Sequence, residues 1–481
     1  MPDQYPLLIR KTAITLICLL LAAPAWGEVL LRWTEPSVPR AARLGVGDLV
    51  VRWNSEALIR SAHSRGYRVY AEVLASDAAT IAGKKARNDF TGIILNPGDS
   101  NPSQVDTALQ TLRAAYPRLS VLILNTKARQ PDMKGQLVIK KDGVLQVTSP
   151  TAQPWIDTNL ALIRLEKAFH PAQDPVYEFQ WDLSDPLQQE RGPDAADYQL
   201  AVAEAGAFHA SLVMDLHSKL QTGLAQDDTA AWAEFNRIKP YLAFYSRAGK
   251  VGEPDANVGV LTDNLQSSYE PINLWARHNI PFDVLKPSDL NSSRLGAFDV
   301  LVVFAKPDEW TAFAIADFAS RGGTAVLVDS HGSYPWQSAP RTQSGAQSVS
   351  YAAGKGSIIE LSSPVIDPEI FSQDIRRLIV KDKMLISLWN SLTTVAVSSR
   401  APGGSGKVVE LVNYAQEPLE VQVRVKGSFT SIRYETPEGG CCQLLAPVQR
   451  QGFTEFVVPS LRISGRVHLD QQSPLPKPNG R

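Results

Sequence analysis

Short apolar runs rich in β-branched residues alternate with helical periodicity from Glu28 to about Lys250. This alternation is typical of a parallel sheet, and seven or eight strands over about 220 residues predict a TIM-like (β/α)8 barrel for residues 28–250. The predicted strands are Val29–Trp33, Tyr67–Leu74, Gly92–Leu95, Ser120–Leu124, a hairpin over Gln136–Val147, Val176–Leu183 and Ala210–Leu216. The predicted helices are Ser55–Gly66, Gln104–Tyr116, Trp155–Phe169 and Ala195–Phe208.

A second alternating unit covers residues 256–382. Its strands are short and strongly apolar, which predicts a sheet covered on both faces, as in a flavodoxin-like α/β domain. The predicted strands are Val258–Leu261, Phe282–Leu285, Val300–Val303 and Thr324–Val328, and the predicted helices are Tyr269–His278 and Glu309–Arg321.

Helical periodicity is absent after about Lys383. Turn residues separate strand-like runs there, which predicts a small C-terminal antiparallel β-sandwich over residues 383–470. The predicted strands are Thr393–Val397, Lys407–Asn413, Leu419–Val425, Ser431–Glu435 and Phe453–Val458. Residues 471–481 contain three prolines and few apolar side chains, so we expect a disordered tail.

The first 27 residues have the three parts of a cleavable signal peptide. A cationic region ends at Lys11, an apolar run covers Thr12–Ala23, and small residues surround Ala25. The apolar run has about twelve residues, whereas a membrane-spanning helix needs about twenty. We therefore expect cleavage near Gly27 and a periplasmic or secreted protein without a stable membrane anchor.

The bulk composition changes this picture little. Hydrophobic residues make up 44% and charged residues 20% of the chain, which is typical of globular domains, and the formal net charge is −1. Because no strong charge favours nucleic acid, a neutral ligand is expected. No zinc, phosphate-loop or dinucleotide motif is present, so no metal or cofactor is predicted. Cys441 and Cys442 are adjacent, and we expect two thiols.

Several local patterns resemble known proteins. They are Val258–Leu261, the helix through Trp275 that leads to Phe282, the stretch Gly354-Lys355-Gly356, and the paired runs Val408–Tyr414 and Leu419–Val425. With the order of the three units, they resemble glycoside hydrolases of the β-galactosidase type. The resemblance implies a carbohydrate substrate, a middle domain similar to class I glutamine amidotransferases, and homo-oligomer contacts through that domain.

Glycosidic cleavage needs two carboxyl groups beside the scissile bond, and a barrel presents its functional side chains at the C-terminal strand ends. The run Val176–Leu183 places Glu178, Gln180 and Asp182 on one face, a costly arrangement inside a barrel unless these groups have a function. An edge strand or a capping Asp182 would also explain the pattern. The candidate catalytic residues are Glu72, Glu178, Asp182 and Asp215.

Other polar and aromatic residues lie near predicted strand ends and are candidates for substrate binding. They are Trp33, Asn96, Asp99, Trp181 and His217. Aromatic rings can stack on the apolar faces of sugars, although packing in the core would also account for each tryptophan. Each polar residue could instead be a hydrogen-bonded structural group.

One missing sequence feature argues against an enzymatic function. In barrels of the resembled kind, the acid comes from an Asn-Glu pair on the fourth strand, whereas the fourth predicted strand here leads into Asn125-Thr126. The alternative function is therefore a non-catalytic glycan-binding or envelope assembly protein with a degenerate barrel.

The alanine-rich helix after Asp194 contains a further acid. Asp194 is predicted to cap the helix, and Glu204 within it is predicted to make a helix-surface or capping interaction. Helices lie outside a barrel, so Glu204 is not a catalytic candidate.

Overall fold

The computed structural model describes residues 28–83, 90–125, 140–141, 144–145, 158–171, 174–179, 181, 190, 192–247, 252–263, 266–345, 347–401, 404, 406–415 and 417–471. The predicted signal peptide, nearly all of the predicted tail, and Asp182 lie outside these residues. Within them, every helix is too short or too polar to span a bilayer.

Seven parallel strands of the described residues close into a barrel in the order β1-β2-β3-β4-β5-β8-β9. The strands of this unit are β1 (Val29–Arg32), β2 (Asp48–Arg52), β3 (Arg68–Leu74), β4 (Gly92–Asn96), β5 (Ser120–Asn125), β6 (Lys140–Lys141), β7 (Val144–Leu145), β8 (Val176–Glu178) and β9 (Ser211–Asp215). Strand β9 pairs in parallel with β1 and completes the ring, while β6 and β7 form a separate antiparallel hairpin. The predicted barrel class is confirmed.

The helices of this unit lie between the barrel strands or follow β9. They are α1 (Ala41–Leu44), α2 (Glu56–Ser64), α3 (Ala78–Gly83), α4 (Pro102–Ala115), α5 (Leu160–Phe169), α6 (Ala195–Phe208), α7 (Ser218–Ala225) and α8 (Thr229–Ser246). Helix α6 begins as predicted, because the Asp194 carboxylate accepts hydrogen bonds from the backbone amides of Ala196 and Asp197.

The middle unit is a seven-stranded sheet in the order β11-β10-β12-β13-β16-β15-β14. Its strands are β10 (Val258–Leu261), β11 (Phe282–Leu285), β12 (Val300–Val303), β13 (Thr324–Leu327), β14 (Arg341–Ser344), β15 (Ser348–Ala353) and β16 (Gly356–Leu361). Its helices are α9 (Tyr269–Arg277), α10 (Ser292–Leu295), α11 (Glu309–Ser320) and α12 (Pro368–Leu378). The first five strands in the sheet order are parallel, as expected for a flavodoxin-like domain.

The C-terminal unit consists of two antiparallel sheets, as predicted. Their orders are β17-β20-β24-β23 and β18-β19-β25-β21-β22. The strands are β17 (Ile386–Trp389), β18 (Thr394–Arg400), β19 (Gly406–Asn413), β20 (Leu419–Lys426), β21 (Ser431–Thr436), β22 (Gly440–Leu445), β23 (Val448–Arg450), β24 (Phe453–Leu461) and β25 (Ser464–Asp470). Inward side chains of both sheets form one apolar core. Cys441 and Cys442 on β22 are joined as a disulfide rather than being two thiols.

Glu204 connects the barrel unit to the sandwich. Its side chain is fully buried, so it is not on the helix surface, and its carboxylate accepts hydrogen bonds from Thr158 and from both the backbone and the side chain of Asn159. The hydroxyl of Tyr414, which follows β19, donates another at 2.7 Å. A buried carboxylate is stable only with such donors, so Glu204 is structural, as expected, although it joins two units.

Candidate active site

The interior of the barrel is built in layers because side chains of a strand alternate between its two faces. One apolar residue from each of the seven strands fills the interior: Leu30, Val50, Tyr70, Ile94, Leu124, Val176 and Val213. Two positions further along six of these strands, the inward residues are Arg32, Arg52, Glu72, Asn96, Glu178 and Asp215. A polar layer therefore covers the apolar interior at the C-terminal mouth, where barrel enzymes place their active sites.

Arg32 is the centre of this polar layer. Its guanidinium contacts Glu72 through two hydrogen bonds, of 3.0 Å to Oε2 and 2.7 Å to Oε1. Its Nη1 atom also donates to Glu178 Oε2 at 2.7 Å and lies 3.5 Å from Asp215 Oδ2. One cation thus holds three carboxylates from three different strands, an arrangement that leaves an excess of negative charge at the mouth.

Exposure distinguishes the three carboxylates. The side chains of Glu72 and Glu178 are 11% and 15% exposed, whereas that of Asp215 is 46% exposed. Glu72 is further constrained by Asn96, whose side-chain amide donates to Oε1 at 2.7 Å. The side-chain oxygen of Asn96 accepts a hydrogen bond from the backbone amide of Gly98, which holds Asn96 in place. Glu72 is therefore held on two sides, while Asp215 has the most room for a ligand.

Burial and neighbouring charges perturb two pKa values at this site. Desolvation raises the pKa of Asp215 above its usual range; the positive charge of Arg32 opposes this increase, and the negative charge of Glu178 adds to it. Burial alone would lower the pKa of Arg32, but attraction by Glu72, Glu178 and Asp215 raises it well above its usual value. Arg32 therefore remains a cation, and Asp215 retains its proton to higher pH than an ordinary aspartate.

Two cavities open on either side of Arg32. The first, of about 330 Å³, lies over strands β1 to β4 and is lined by Arg52, Trp53, Glu72 and Asn96 among others. The second, of about 640 Å³, is lined by Glu178, Trp181 and His217 among others. Arg32 and Asp215 line both. The carboxylates therefore lie between two spaces that could each hold part of a ligand.

Most of the predicted site residues meet at this mouth, as the lining of the two cavities shows. Trp33, Glu72, Asn96 and Asp215 line the first cavity, and Glu178, Trp181, Asp215 and His217 line the second. The backbone amide of His217 donates to the hydroxyl of Tyr198, which fixes the start of α7.

Two predicted binding residues are placed differently. Trp33 is only 1% exposed, and its indole N–H donates to the carbonyl of Ser37, so its ring packs in the core and presents no open face to a sugar. Asp99 is exposed beyond β4 and lines neither of the two cavities. Both follow strand ends in the sequence; Trp33 borders the first cavity but is almost fully buried, whereas Asp99 lies outside both cavities.

The sequence analysis missed one strand of the barrel, so the strands after it were numbered one too low. The run Asp48–Arg52 was not recognised as a strand, although its centre, Leu49-Val50-Val51, is apolar and two glycines precede it closely. The strand that ends at Asn125 is therefore the fifth of the barrel, and the true fourth strand ends at Asn96, which is followed by Pro97. The Asn-Glu pair is absent from this strand as well.

The sequence analysis also missed Arg32 and Arg52. Both are cations at the ends of otherwise apolar runs, the same signal that drew attention to Glu72. A search limited to carboxylates passed over them. The residue that organises the site, Arg32, is therefore a cation. The chemistry of glycoside cleavage does not by itself require a cation there.

A possible metal-ligand cluster within the described residues lies far along the chain from this mouth. It consists of Glu435, Cys441 and Cys442 in the sandwich. Because the two sulfur atoms are joined as a disulfide, they are poor metal ligands, and nothing in this cluster bears on the barrel.

Comparisons with known proteins bear on the fold. No family model and no curated protein sequence matches the chain. The solved structure of alpha-L-fucosidase isoenzyme 2 from Paenibacillus thiaminolyticus aligns with 93% of this chain and 100% of its own, with a TM-score of 0.57 and 10% identity. A beta-galactosidase from the Antarctic haloarchaeon Halorubrum lacusprofundi aligns over 93% and 99%, with a TM-score of 0.52 and 10% identity.

These likenesses define the class of the molecule at the level of fold. The chain has the fold of these glycosidases over almost its whole length, which confirms the architecture that the sequence patterns predicted. A shared fold at 10% identity does not carry an activity with it, so the function is argued from the mouth of the barrel.

Proposed function

We propose that the chain is an exported glycoside hydrolase whose carboxylate pair is Glu178 and Asp215. The observation that carries this proposal is the convergence of carboxylates from three strands on Arg32 at the open mouth of the barrel. The fold supports it, since both structures compared above are named as glycosidases. The substrate class is an oligosaccharide or polysaccharide.

The two carboxylates suit different steps. Asp215 is half-exposed and its pKa is raised by burial, so it can hold a proton and deliver it to the leaving oxygen. Glu178 is more buried and forms a close ion pair with Arg32, so it is the anionic member that attacks the sugar or stabilises the developing positive charge. This division resembles the general rule that catalytic carboxyl pairs have contrasting environments.

The spacing of the pair indicates a retaining reaction. Glu178 Oε2 and Asp215 Oδ2 lie 2.7 Å and 3.5 Å from the same Arg32 nitrogen, so they cannot be further apart than the sum of these distances. The limit applies to these two facing oxygens, and it agrees with the roughly 5–5.5 Å between the carboxyl groups of retaining enzymes. The proposed intermediate is therefore a covalent glycosyl–enzyme ester on Glu178.

Arg32, Glu72 and Asn96 act as positioning residues in this proposal. Arg32 orients both catalytic carboxylates, and Glu72 fixes Arg32 through two hydrogen bonds while Asn96 fixes Glu72. Sugars on the two sides of the scissile bond would occupy the two cavities. Trp181 and His217 belong to the larger cavity and are proposed to contact the sugar there.

The test is a series of variants of the mature chain beginning at Glu28, assayed on aryl glycosides and on a panel of soluble polysaccharides. Glu178→Gln and Asp215→Asn should each lower kcat by a factor of about 10² to 10⁴. Asp99→Asn is the matched control, because Asp99 is an exposed acid that lies outside both cavities. Asp182→Asn belongs in the same series, since Asp182 remains a candidate.

Three results would reject parts of the proposal. Full activity in Glu178→Gln would remove the nucleophile assigned here, and inversion of the anomeric configuration, followed by NMR, would exclude the covalent intermediate. Binding of a glycan without hydrolysis by the wild-type chain would favour the non-catalytic alternative, for which the fourth strand without a glutamate is the motivating feature.

Export is tested separately. The full-length chain is expressed in a Gram-negative host and recovered from periplasm and medium, and its N-terminus is determined by mass spectrometry. Cleavage near Gly27 is the expected result. A cytoplasmic product that retains residues 1–27 would contradict export without affecting the catalytic assignment.

A further inference from the structure

Arg164 is a buried cation that has no partner among the described residues. It lies on α5, its residue is 8% exposed, and among the described residues none forms a hydrogen bond or ion pair with its guanidinium. Burial lowers its pKa, and the more distant charges of Asp283 and Glu253 offset that effect only in part. A buried charge without a counter-ion is costly, so this position calls for an explanation.

A large cavity, of about 1010 Å³, lies beside Arg164 where the three units meet. Arg164 and Lys167 come from the barrel unit, Arg294 comes from the middle unit, and Arg400 comes from the sandwich. These four cations therefore line one space although they belong to three separately folded parts. A ligand that filled this space would contact all three units.

Four carboxylates also line the cavity, those of Glu253, Asp255, Asp283 and Asp289, and two of them already form ion pairs. Asp255 forms an ion pair of 2.6 Å with Lys407, and Asp283 pairs with Arg294 at 3.3 Å. Glu253 lines the cavity without an ion pair among the described residues. Asp283 and Glu253 are the acids whose charges act on Arg164, and neither forms an ion pair with it among the described residues.

The pKa of a neighbouring histidine, His209, is lowered by burial and by nearby cations. Burial is the largest cause that lowers the pKa of His209 to about 3, and the charges of Arg164, Arg466 and Lys167 lower it further. The Nε2 atom of His209 is buried without a hydrogen-bond partner. Two buried polar side chains of this region, Arg164 and His209, therefore lack a hydrogen-bond partner among the described residues.

We propose that this cavity binds a small oxyanion, which accepts hydrogen bonds from Arg164 where the barrel, the α/β unit and the sandwich meet. A planar guanidinium donates two parallel hydrogen bonds to a carboxylate, phosphate or sulfate, and such charge-assisted bonds are strong when water is largely excluded. The bound anion supplies the counter-charge that Arg164 lacks. The site is separate from the barrel mouth and does not depend on hydrolysis.

The experiment measures thermal unfolding of the mature chain at constant ionic strength. Sodium chloride is replaced stepwise by sodium phosphate, sodium sulfate or sodium glucuronate, so that inorganic oxyanions and a sugar carboxylate are compared. The wild-type midpoint should rise saturably by a few degrees, because an anion that binds only the folded state stabilises it. The rise should disappear in Arg164→Met and persist in Arg321→Met, an exposed arginine of the middle unit.

Two further outcomes distinguish the proposal from an internal ion pair. In chloride alone, Arg164→Met should unfold at the same or a higher temperature than the wild type, because an unpaired buried charge is replaced by an apolar side chain. Glu253→Gln should tighten phosphate binding several-fold by calorimetry. A wild-type midpoint that is identical in all four salts, or a large loss of stability in either variant in chloride, would overturn the proposal.

Discussion

The role of Arg32 can be tested by removing its charge while keeping most of its volume. In Arg32→Met, the side chains of Glu72 and Glu178, only 11% and 15% exposed, would lose the cation that contacts them at 2.7 Å. Removing one partner of a buried ion pair costs about 3 to 5 kcal/mol, and the lower value applies here because a cavity lets water reach the mouth. For a unit of about 220 residues, about 3 kcal/mol corresponds to a midpoint lower by roughly 6 to 12 °C.

The pH dependence gives the sharper test. In Arg32→Met, the uncompensated carboxylates bind protons more tightly in the folded than in the unfolded chain. Stability of the variant therefore increases as the pH falls, since the folded state then takes up more protons. The difference in midpoint between wild type and variant should be largest near pH 8 and should decrease towards pH 5, as followed by differential scanning calorimetry.

A control variant separates the effect of burial from the effect of losing an ion pair. Arg377 forms an ion pair of the same 2.7 Å length with Asp374, but both side chains are exposed on α12. Arg377→Met should therefore change the free energy of unfolding by less than about 1 kcal/mol. If the two variants lose equal stability, or if the loss in Arg32→Met is the same at pH 5 and pH 8, the assigned role of Arg32 is incorrect.

Three further predictions follow from particular contacts. Glu204→Gln should lower the free energy of unfolding in urea by about 2 kcal/mol, because an amide leaves part of this buried hydrogen-bond network unsatisfied. An unchanged unfolding midpoint would contradict the contacts described. Gly206→Ala should destabilise by about 2 kcal/mol or more, since a Cβ there would lie 2.1 Å from the Tyr245 ring, whereas Gly83→Ala, with open space around it, should be neutral. If hydrolysis is found, the raised pKa of Asp215 should keep the enzyme active to a higher pH than an ordinary aspartate would allow. Activity should then fall at alkaline pH as Asp215 loses its proton. A wild-type pH profile without this alkaline decrease would argue against Asp215 as the acid.

Local patterns were enough to place much of the candidate site. The sequence put Glu72 and Asp215 near the ends of apolar runs and Glu178 on the polar face of Val176–Leu183, and all three meet at the mouth. The order of the three units could also be read from changes in periodicity along the chain. Both kinds of information are local, because they depend on which face of a single strand or helix is buried.

The tertiary structure decided how these residues combine. Ring closure by seven strands depends on the pairing of β9 with β1, which are about 180 residues apart in the chain, and no local period encodes it. The same long-range closure brings Arg32 to three acids that are 40, 146 and 183 residues away in sequence. Packing in the tertiary structure also buries Trp33 almost completely. The sequence alone therefore determined which side chains face inward, whereas the partner of each buried charge was set by the closed barrel.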